Sequence, residues 1–368
     1  MQKSLPILQV ENLHVKFHLR GKILHAIRGV ELEVYPGESL AIVGESGSGK
    51  SVLNKNFIGL LDSNGFIPQG SIRYFGKDFS KIHKSLWKED EKGRKYVDLA
   101  TLSKEKQWKG IRGCEICMVP QDPMTSLNPL KRIGAQIAEA LRLHRDFDGR
   151  QIKKEVLKIL EDVQISDPEK CYKQYPHELS GGMRQRIVIA IAIACRPQIL
   201  ICDEPTTALD VTIHAQILQL LKKIKKKYQL TIIFITHDLG VVANIAERVA
   251  VMYGGDVVEI GLADEVFYQP KHPYTWALLS SLPQLAVKGE ELYSIKGSPP
   301  NLFSQIQGDA FANRNPYALA IDHIKQPPYF DVTPTHKART WLLDQRAPKV
   351  EPPSSIRKLQ SFGGISNE

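Results

Sequence analysis

No apolar run in this 368-residue chain approaches the roughly eighteen residues that a bilayer-spanning helix requires, so a membrane-embedded chain is not expected. The opening MQKSLPILQVENLHV is too short and too interrupted in its apolar part for a secretory signal, and a cytosolic location is the expectation. Cysteine is scarce, with five residues at 114, 117, 171, 195 and 202. Cys114 and Cys117 form a CxxC, yet no second CxxC exists to complete a zinc site. The surrounding CEICMVPQ reads as a strand, in which positions three apart face opposite sides. Neither metal binding there nor a disulfide framework is expected.

What is present belongs to a globular chain, with 42% hydrophobic and 24% charged residues. The length allows one large domain or two of ordinary size. The net charge of +9 is unevenly spread: from Lys77 to Lys109 ten Lys/Arg face six Asp/Glu, and KKIKKK occupies 222–227. Nucleic acid or an anionic membrane face would suit both patches. For 222–227 a solvated helix face is the favoured reading, and no nucleic-acid partner is expected.

The strongest chemical signal is GESGSGKS at 44–51, which fits G-x-x-x-x-G-K-[ST]. Gly44, Gly47 and Gly49 let the backbone curl, so that its N–H groups, with those of Glu45, Ser46 and Ser48, cradle phosphate oxygens. Lys50 can reach the terminal phosphates, and the Ser51 hydroxyl can join a Mg²⁺ shell. SLAIVG before the loop reads as a buried strand and KSVLNKNFIGLL after it as a helix, whose positive end faces the anion. Upstream, ILQVENLHVKF and HAIRGVELEV alternate as antiparallel strands. Phe17, at the end of the first, either stacks on a nucleotide base or fills the core.

Further along, GSIRYFGKD reads as a strand and turn, and 78–110 as a charged stretch of helix fragments or an exposed hairpin, with 78–97 looking like an insertion. ICMVPQDP returns to strand. Apolar residues at helical spacing over 133–143 and 152–163 predict a helical insertion. In YPHELSGGMRQR, Ser180 can cap a following helix, while Gly181 and Gly182 permit close approach to a phosphate. QILICDEPTTALD places Asp203 and Glu204 at the C-terminal end of a buried strand, where α/β folds bind ligands. There Asp203 can hold Mg²⁺ through water while Glu204 orients the attacking water. TIIFITHDLG predicts another buried strand ending at His237. Apolar runs alternating with helices argue for an α/β fold with a mainly parallel, doubly covered sheet. From 347 on, the composition predicts a disordered tail.

Taken in order, these segments resemble the ATP-binding subunits of ABC transporters over roughly residues 5–345. GESGSGKS matches the Walker A motif, Gln121 the Q-loop, LSGGMRQR the signature motif and ILICDE the Walker B motif. TALD, with Asp210, matches the D-loop, and His237 the H-loop. QDPMTSLNP, DEPTTALDVTIHAQIL and QPKHPYTWALLSSLP followed by IKGSPPNL are similar to the D-type subunit of oligopeptide and dipeptide permeases.

The resemblance implies a P-loop NTPase core with an antiparallel β subdomain over 5–260, including a helical signature subdomain near 124–185. A peptide-importer C-terminal extension over 261–345 and a tail over 346–368 would follow. It implies ATP and Mg²⁺ held by Lys50, Ser51, Gln121 and Asp203, with Glu204, His237, Gln121 and Lys50 in catalysis. Ser180, Gly181 and Gly182 would contact ATP on a partner ATPase, either a homologous subunit or a second copy. Two transmembrane permease subunits and, indirectly, an extracytoplasmic peptide receptor complete the expected assembly at the cytoplasmic membrane face. Members often carry four C-terminal cysteines for an iron–sulfur cluster; here Asp309, Asn315, Asp322 and Thr340 stand in those places, so no cluster is expected. Import of nickel or another solute is the main alternative. A soluble ABC ATPase acting on nucleic acid is disfavoured by the single cassette and the lack of heptads. A non-hydrolytic subunit is disfavoured by the intact Lys50, Asp203, Glu204 and His237.

Overall fold

The computed structural model describes residues 5–77, 79–145, 147–205, 211–282 and 294–363. It begins with two long antiparallel strands, β1 (Leu8–Leu19) and β2 (Lys22–Val34). In β1 the residues Leu8, Val10, Leu13, Val15 and Phe17 are all buried. Strict alternation would have put Leu13 on the opposite face from Val10. A register shift around Asn12, whose φ is 44°, returns it to the core side. Phe17 is only 7% exposed, packed near Leu61 and against the backbone of Gly65. Of the two readings of Phe17, this burial favours the core aromatic.

β3 (Ser39–Val43) leads through the glycine loop into α1 (Lys50–Phe57), and β4 (Gly65–Tyr74) returns to pair with β1. The charged insertion forms a hairpin of β5 (Trp87–Glu89) and β6 (Lys95–Asp98). Through β6 it joins β4, so the first sheet runs β2-β1-β4-β6-β5. The turn is held by Arg94 on Asp90, and Phe79 meets Trp87 edge-on.

Next come β7 (Ile116–Val119) and the helices α2 (Pro123–Ser126), α3 (Ile133–His144), α4 (Gly149–Asp162), α5 (Pro168–Lys173) and α6 (Gly181–Ile193). Asp122, Asp148, Asp167 and Ser180 cap four of these N-termini through side-chain oxygens. The chain then alternates β8 (Ile199–Asp203), α7 (Val211–Tyr228), β9 (Thr231–Ile235), α8 (Leu239–Ile245) and β10 (Arg248–Tyr253). A turn at Gly254 and Gly255 feeds β11 (Asp256–Leu262), followed by α9 (Ala263–Tyr268) and α10 (Pro273–Ser280). Short strands β12 (Phe330–Asp331) and β13 (Lys337–Ala338) and helix α11 (Ser354–Gly363) complete the described chain.

The second sheet has the order β12-β13-β11-β10-β3-β9-β8-β7, with β10, β3, β9, β8 and β7 mutually parallel. Its central strands are apolar on both faces because each feeds two cores. Ile232 and Phe234 of β9 pack with the helical layer, whereas Ile233 and Ile235 pack with the first sheet. In α7 the buried Ile217, Leu220, Leu221 and Ile224 face inward, and the 222–227 lysines line its solvent side. Lys225 pairs with Glu247 and Lys227 with Asp162.

The boundary expected at 260 falls inside β11, and β13 pairs with that strand. The C-terminal segment thus extends the central sheet instead of standing beside it. The disordered tail expected over 346–368 is corrected over its described part. α11 packs on α9 and α10, with Ile356 fully buried beside the core containing Tyr274 and Phe311. Composition alone overlooked the helical spacing of Ile356 and Leu359. Ile356→Ala should lower unfolding stability by about 2–4 kcal/mol, read from denaturant melts. A tail free in solvent would leave the melt unchanged.

Candidate nucleotide site

The glycine loop is shaped from behind. At Gly44, with φ 149°, an added Cβ would lie 2.1 Å from the Met252 carbonyl oxygen of β10. At Gly49, with φ 103°, it would meet Ile27 and the Ala26 carbonyl of β2 at 2.9 and 3.0 Å. Both sheets therefore hold the loop. Inside it, the Lys50 ammonium donates to the carbonyls of Gly44 and Glu45 at 2.7 and 2.9 Å, and lies 3.4 Å from Ser48 Oγ. Burial lowers the Lys50 pKa, and the charges of Glu204, Asp203 and Glu45 oppose that shift. Ser51, one residue on, is exposed at the start of α1.

Opposite stand the carboxylates at the end of β8. Asp203 has its pKa raised by burial and by Glu204, with Lys50 and Lys55 acting the other way. Glu204 has φ 45°, a left-handed backbone rarely adopted by a residue with a side chain, and its N–H donates to the Ile235 carbonyl at 3.0 Å. Its two carboxylate oxygens are bridged. Gln121 Nε2 donates to Oε2 at 2.9 Å, and His237 Nδ1 lies 2.8 Å from Oε1. Gln121, 83 positions before Glu204, and His237, 33 positions after it, thus meet on one carboxylate.

Ser51, Gln121 and Asp203 supply hydroxyl, amide and carboxylate oxygens, the hard donors that Mg²⁺ takes together with substrate phosphates. The glycine cradle, the buried cation Lys50 and this donor set fit a Mg²⁺–triphosphate. By contrast, the donors at positions 309, 315, 322 and 340 do not fit an iron–sulfur cluster. Asp309, Asn315, Asp322 and Thr340 are all buried, and each spends a side-chain oxygen on a nearby backbone N–H: Phe311, Tyr317, Leu319 and Leu342 respectively.

Burial pushes the Asp309 pKa up to about 7, with Asp322 and Asp256 adding to the rise while the Phe311 N–H and Arg28 oppose it. The unfolded carboxyl titrates near 3.9. A carboxyl whose folded pKa is raised stabilises in its neutral form, so this contribution is present below about pH 4 and lost as pH rises to about 7. Asp256, pushed up to about 6 by burial, acts in the same direction. Asp309→Asn should keep the bond from Phe311, raise the melting temperature at pH 8 and flatten its decline between pH 5 and pH 8. An unchanged pH profile would refute that role.

Ser180 and Gly181 are exposed at the start of α6, and the Ser180 hydroxyl accepts from the Met183 N–H at 3.3 Å. Gly182 is buried, because a Cβ there would come within 2.9 Å of Ile213 in α7. That hydroxyl bond is local to the helix Ser180 caps. Asp210 lies outside the described residues. Cys114 and Cys117 are free and buried, and burial raises the pKa of both. Two residues missed by the sequence reading touch the loop from the C-terminal segment. Arg314 Nη1 and Nη2 donate to the two oxygens of Glu45 at 2.7 and 3.1 Å, and the Glu45 N–H donates to the Tyr274 hydroxyl at 2.8 Å. No local pattern marks either contact.

A family model described as ABC transporter matches residues 27–207, and one described as oligopeptide/dipeptide transporter, C-terminal region, matches 258–321. The chain is 54% identical to the oligopeptide transport ATP-binding protein AmiE of Streptococcus pneumoniae, covering 96% of this chain and 94% of that protein. It is 51% identical to the dipeptide transport ATP-binding protein DppD of Lactococcus lactis, covering 95% of each. Likeness to the oligopeptide transport ATP-binding protein OppD of Bacillus subtilis is 50%, over 95% of this chain and 93% of that one. Among solved structures, the cassette MJ0796 as a post-hydrolysis dimer bound to ADP and Pi is 27% identical. It matches with a TM-score of 0.56, covering 70% of this chain and 98% of that chain.

Proposed function

The chain belongs to the ABC transporter family, among its oligopeptide and dipeptide transport ATP-binding proteins, and we infer that it hydrolyses ATP to power peptide uptake through a membrane permease. The observation that carries the reading is the convergence of Gln121 and His237 on Glu204, with Asp203 and the phosphate loop's Lys50 beside it.

In this mechanism the loop amides other than that of Glu45, which is spent on the Tyr274 hydroxyl, hold the triphosphate together with Lys50, and bound Mg²⁺ would neutralise phosphate charge between Ser51, Gln121 and Asp203. Glu204 orients a water for in-line attack on the γ-phosphorus. The bond to the bridging oxygen of ADP then breaks, and the water's proton passes toward Glu204 or the departing phosphate. Lys50 and His237 stabilise the charge that develops on the phosphoryl oxygens; preorganised groups of this kind contribute about 10²–10³-fold each.

The exposed Ser180 and Gly181 would complete the site of a second ATPase, a homologous subunit or another copy, in a head-to-tail sandwich that ATP closes and hydrolysis opens. MJ0796, solved as a dimer, supports a paired assembly. Among the described residues no helix is long and apolar enough to cross a membrane. We therefore propose peripheral attachment on the cytoplasmic face, against two permease subunits that receive peptide from an extracytoplasmic binding protein. Met124 and Leu130, 60% and 87% exposed in the segment that follows Gln121 in sequence, are apolar side chains suited to that contact.

A strain lacking this chain should lose uptake of labelled di- and oligopeptides and regain it with the wild-type gene but not with an ATPase-dead variant. Intact peptide uptake together with lost nickel uptake would replace the cargo assignment.

A further inference from the structure

Glu45 is an oddity in a loop built to hold phosphates. Its carboxylate lies in the same few residues as the Lys50 ammonium and the anion cradle, and an unpaired negative charge there repels a triphosphate. The pairing comes from the far end of the chain. The Arg314 side chain is 6% exposed and grips Glu45 with both terminal nitrogens, while Nη1 also lies 3.0 Å from the Tyr253 hydroxyl. Arg314 Nε donates to the Lys296 carbonyl at 3.1 Å, which fixes the plane of the fork. Beneath it, Tyr253, Tyr274 and Phe311 pack ring against ring, and the Tyr274 hydroxyl takes the Glu45 N–H. Arg314 and Tyr274 both fall within the matched C-terminal region.

We propose that this region is part of the nucleotide site, with Arg314 as a positioning residue that neutralises Glu45 and holds the phosphate loop in its anion-accepting shape. The inference rests on the loop binding ATP. A simple staple between chain segments would also show an ion pair, but it would be indifferent to which charge remains in the loop.

The test uses the full-length protein and the fluorescent analogue mant-ATP with Mg²⁺. Arg314→Gln should weaken binding about tenfold and raise KM for ATP, with kcat at saturation little changed, because the freed Glu45 charge opposes the phosphates. Arg314→Lys should keep the charge but lose the fork, and so fall between the two. Adding Glu45→Gln to Arg314→Gln should recover most of the lost affinity. Failure of that recovery, or unchanged affinity in Arg314→Gln, overturns the proposal. Should Arg314→Gln fail to fold, Glu45→Gln alone decides: tighter binding upholds the proposal, and weaker or equal binding overturns it. Wild-type protein that binds no mant-ATP would instead remove the nucleotide reading on which this rests.

Discussion

Glu204→Gln is expected to bind ATP and to hydrolyse it at least about 10²-fold more slowly, accumulating as a closed, ATP-loaded dimer. The amide has the size of the carboxylate and can keep both neighbours, accepting from Gln121 and donating to an unprotonated His237. The backbone at φ 45° is unaffected by the exchange. What disappears is the negative charge that polarises the water, and with it one source of repulsion toward the phosphates. Light scattering with ATP and Mg²⁺, in the presence of the partner ATPase if the assembly is a heterodimer, should detect the trapped pair. Phosphate release gives the rate. Turnover like that of the wild type would exclude Glu204 as the catalytic carboxylate.

Lys50→Met should show the opposite separation, losing nucleotide binding itself. Methionine preserves much of the aliphatic stem that fills this buried position, only 6% exposed, so the fold should persist. The ammonium is lost, and with it both the charge facing the γ-phosphate and the bonds that draw the Gly44 and Glu45 carbonyls together. A fall in kcat/KM of at least about 10²-fold, with mant-ATP affinity weakened more than tenfold, is the expected result. Retained affinity with lost turnover would assign Lys50 to the chemical step alone.

Local patterns made much of the site readable. GESGSGKS carries its chemistry in eight consecutive residues, and the glycine conformations at 44, 47 and 49 are required by the loop they make. The strands that deliver Glu204 and His237 were legible as apolar runs, since β8 and β9 are buried on both faces. Phe17 was ambiguous because alternation says that a side chain faces one side, not what covers that side. α11 was missed because a few apolar residues at helical spacing weigh little against a polar composition. The buried oxygens at 309, 315, 322 and 340 could be named from the sequence, yet their turn-capping bonds could not.

By itself, the sequence determined the ATP-binding signature of this chain and nominated the residues proposed to carry the chemistry, because loops and strand ends express that locally. The bridging of Glu204 by Gln121 and His237, and the grip of Arg314 on Glu45 across 269 positions, were decided only by tertiary structure. The physical reason is the strand order: β3 lies between β9 and β10, and the C-terminal segment pairs on through β11. No local periodicity encodes which distant strands become neighbours, and those neighbours select the partner each charge meets.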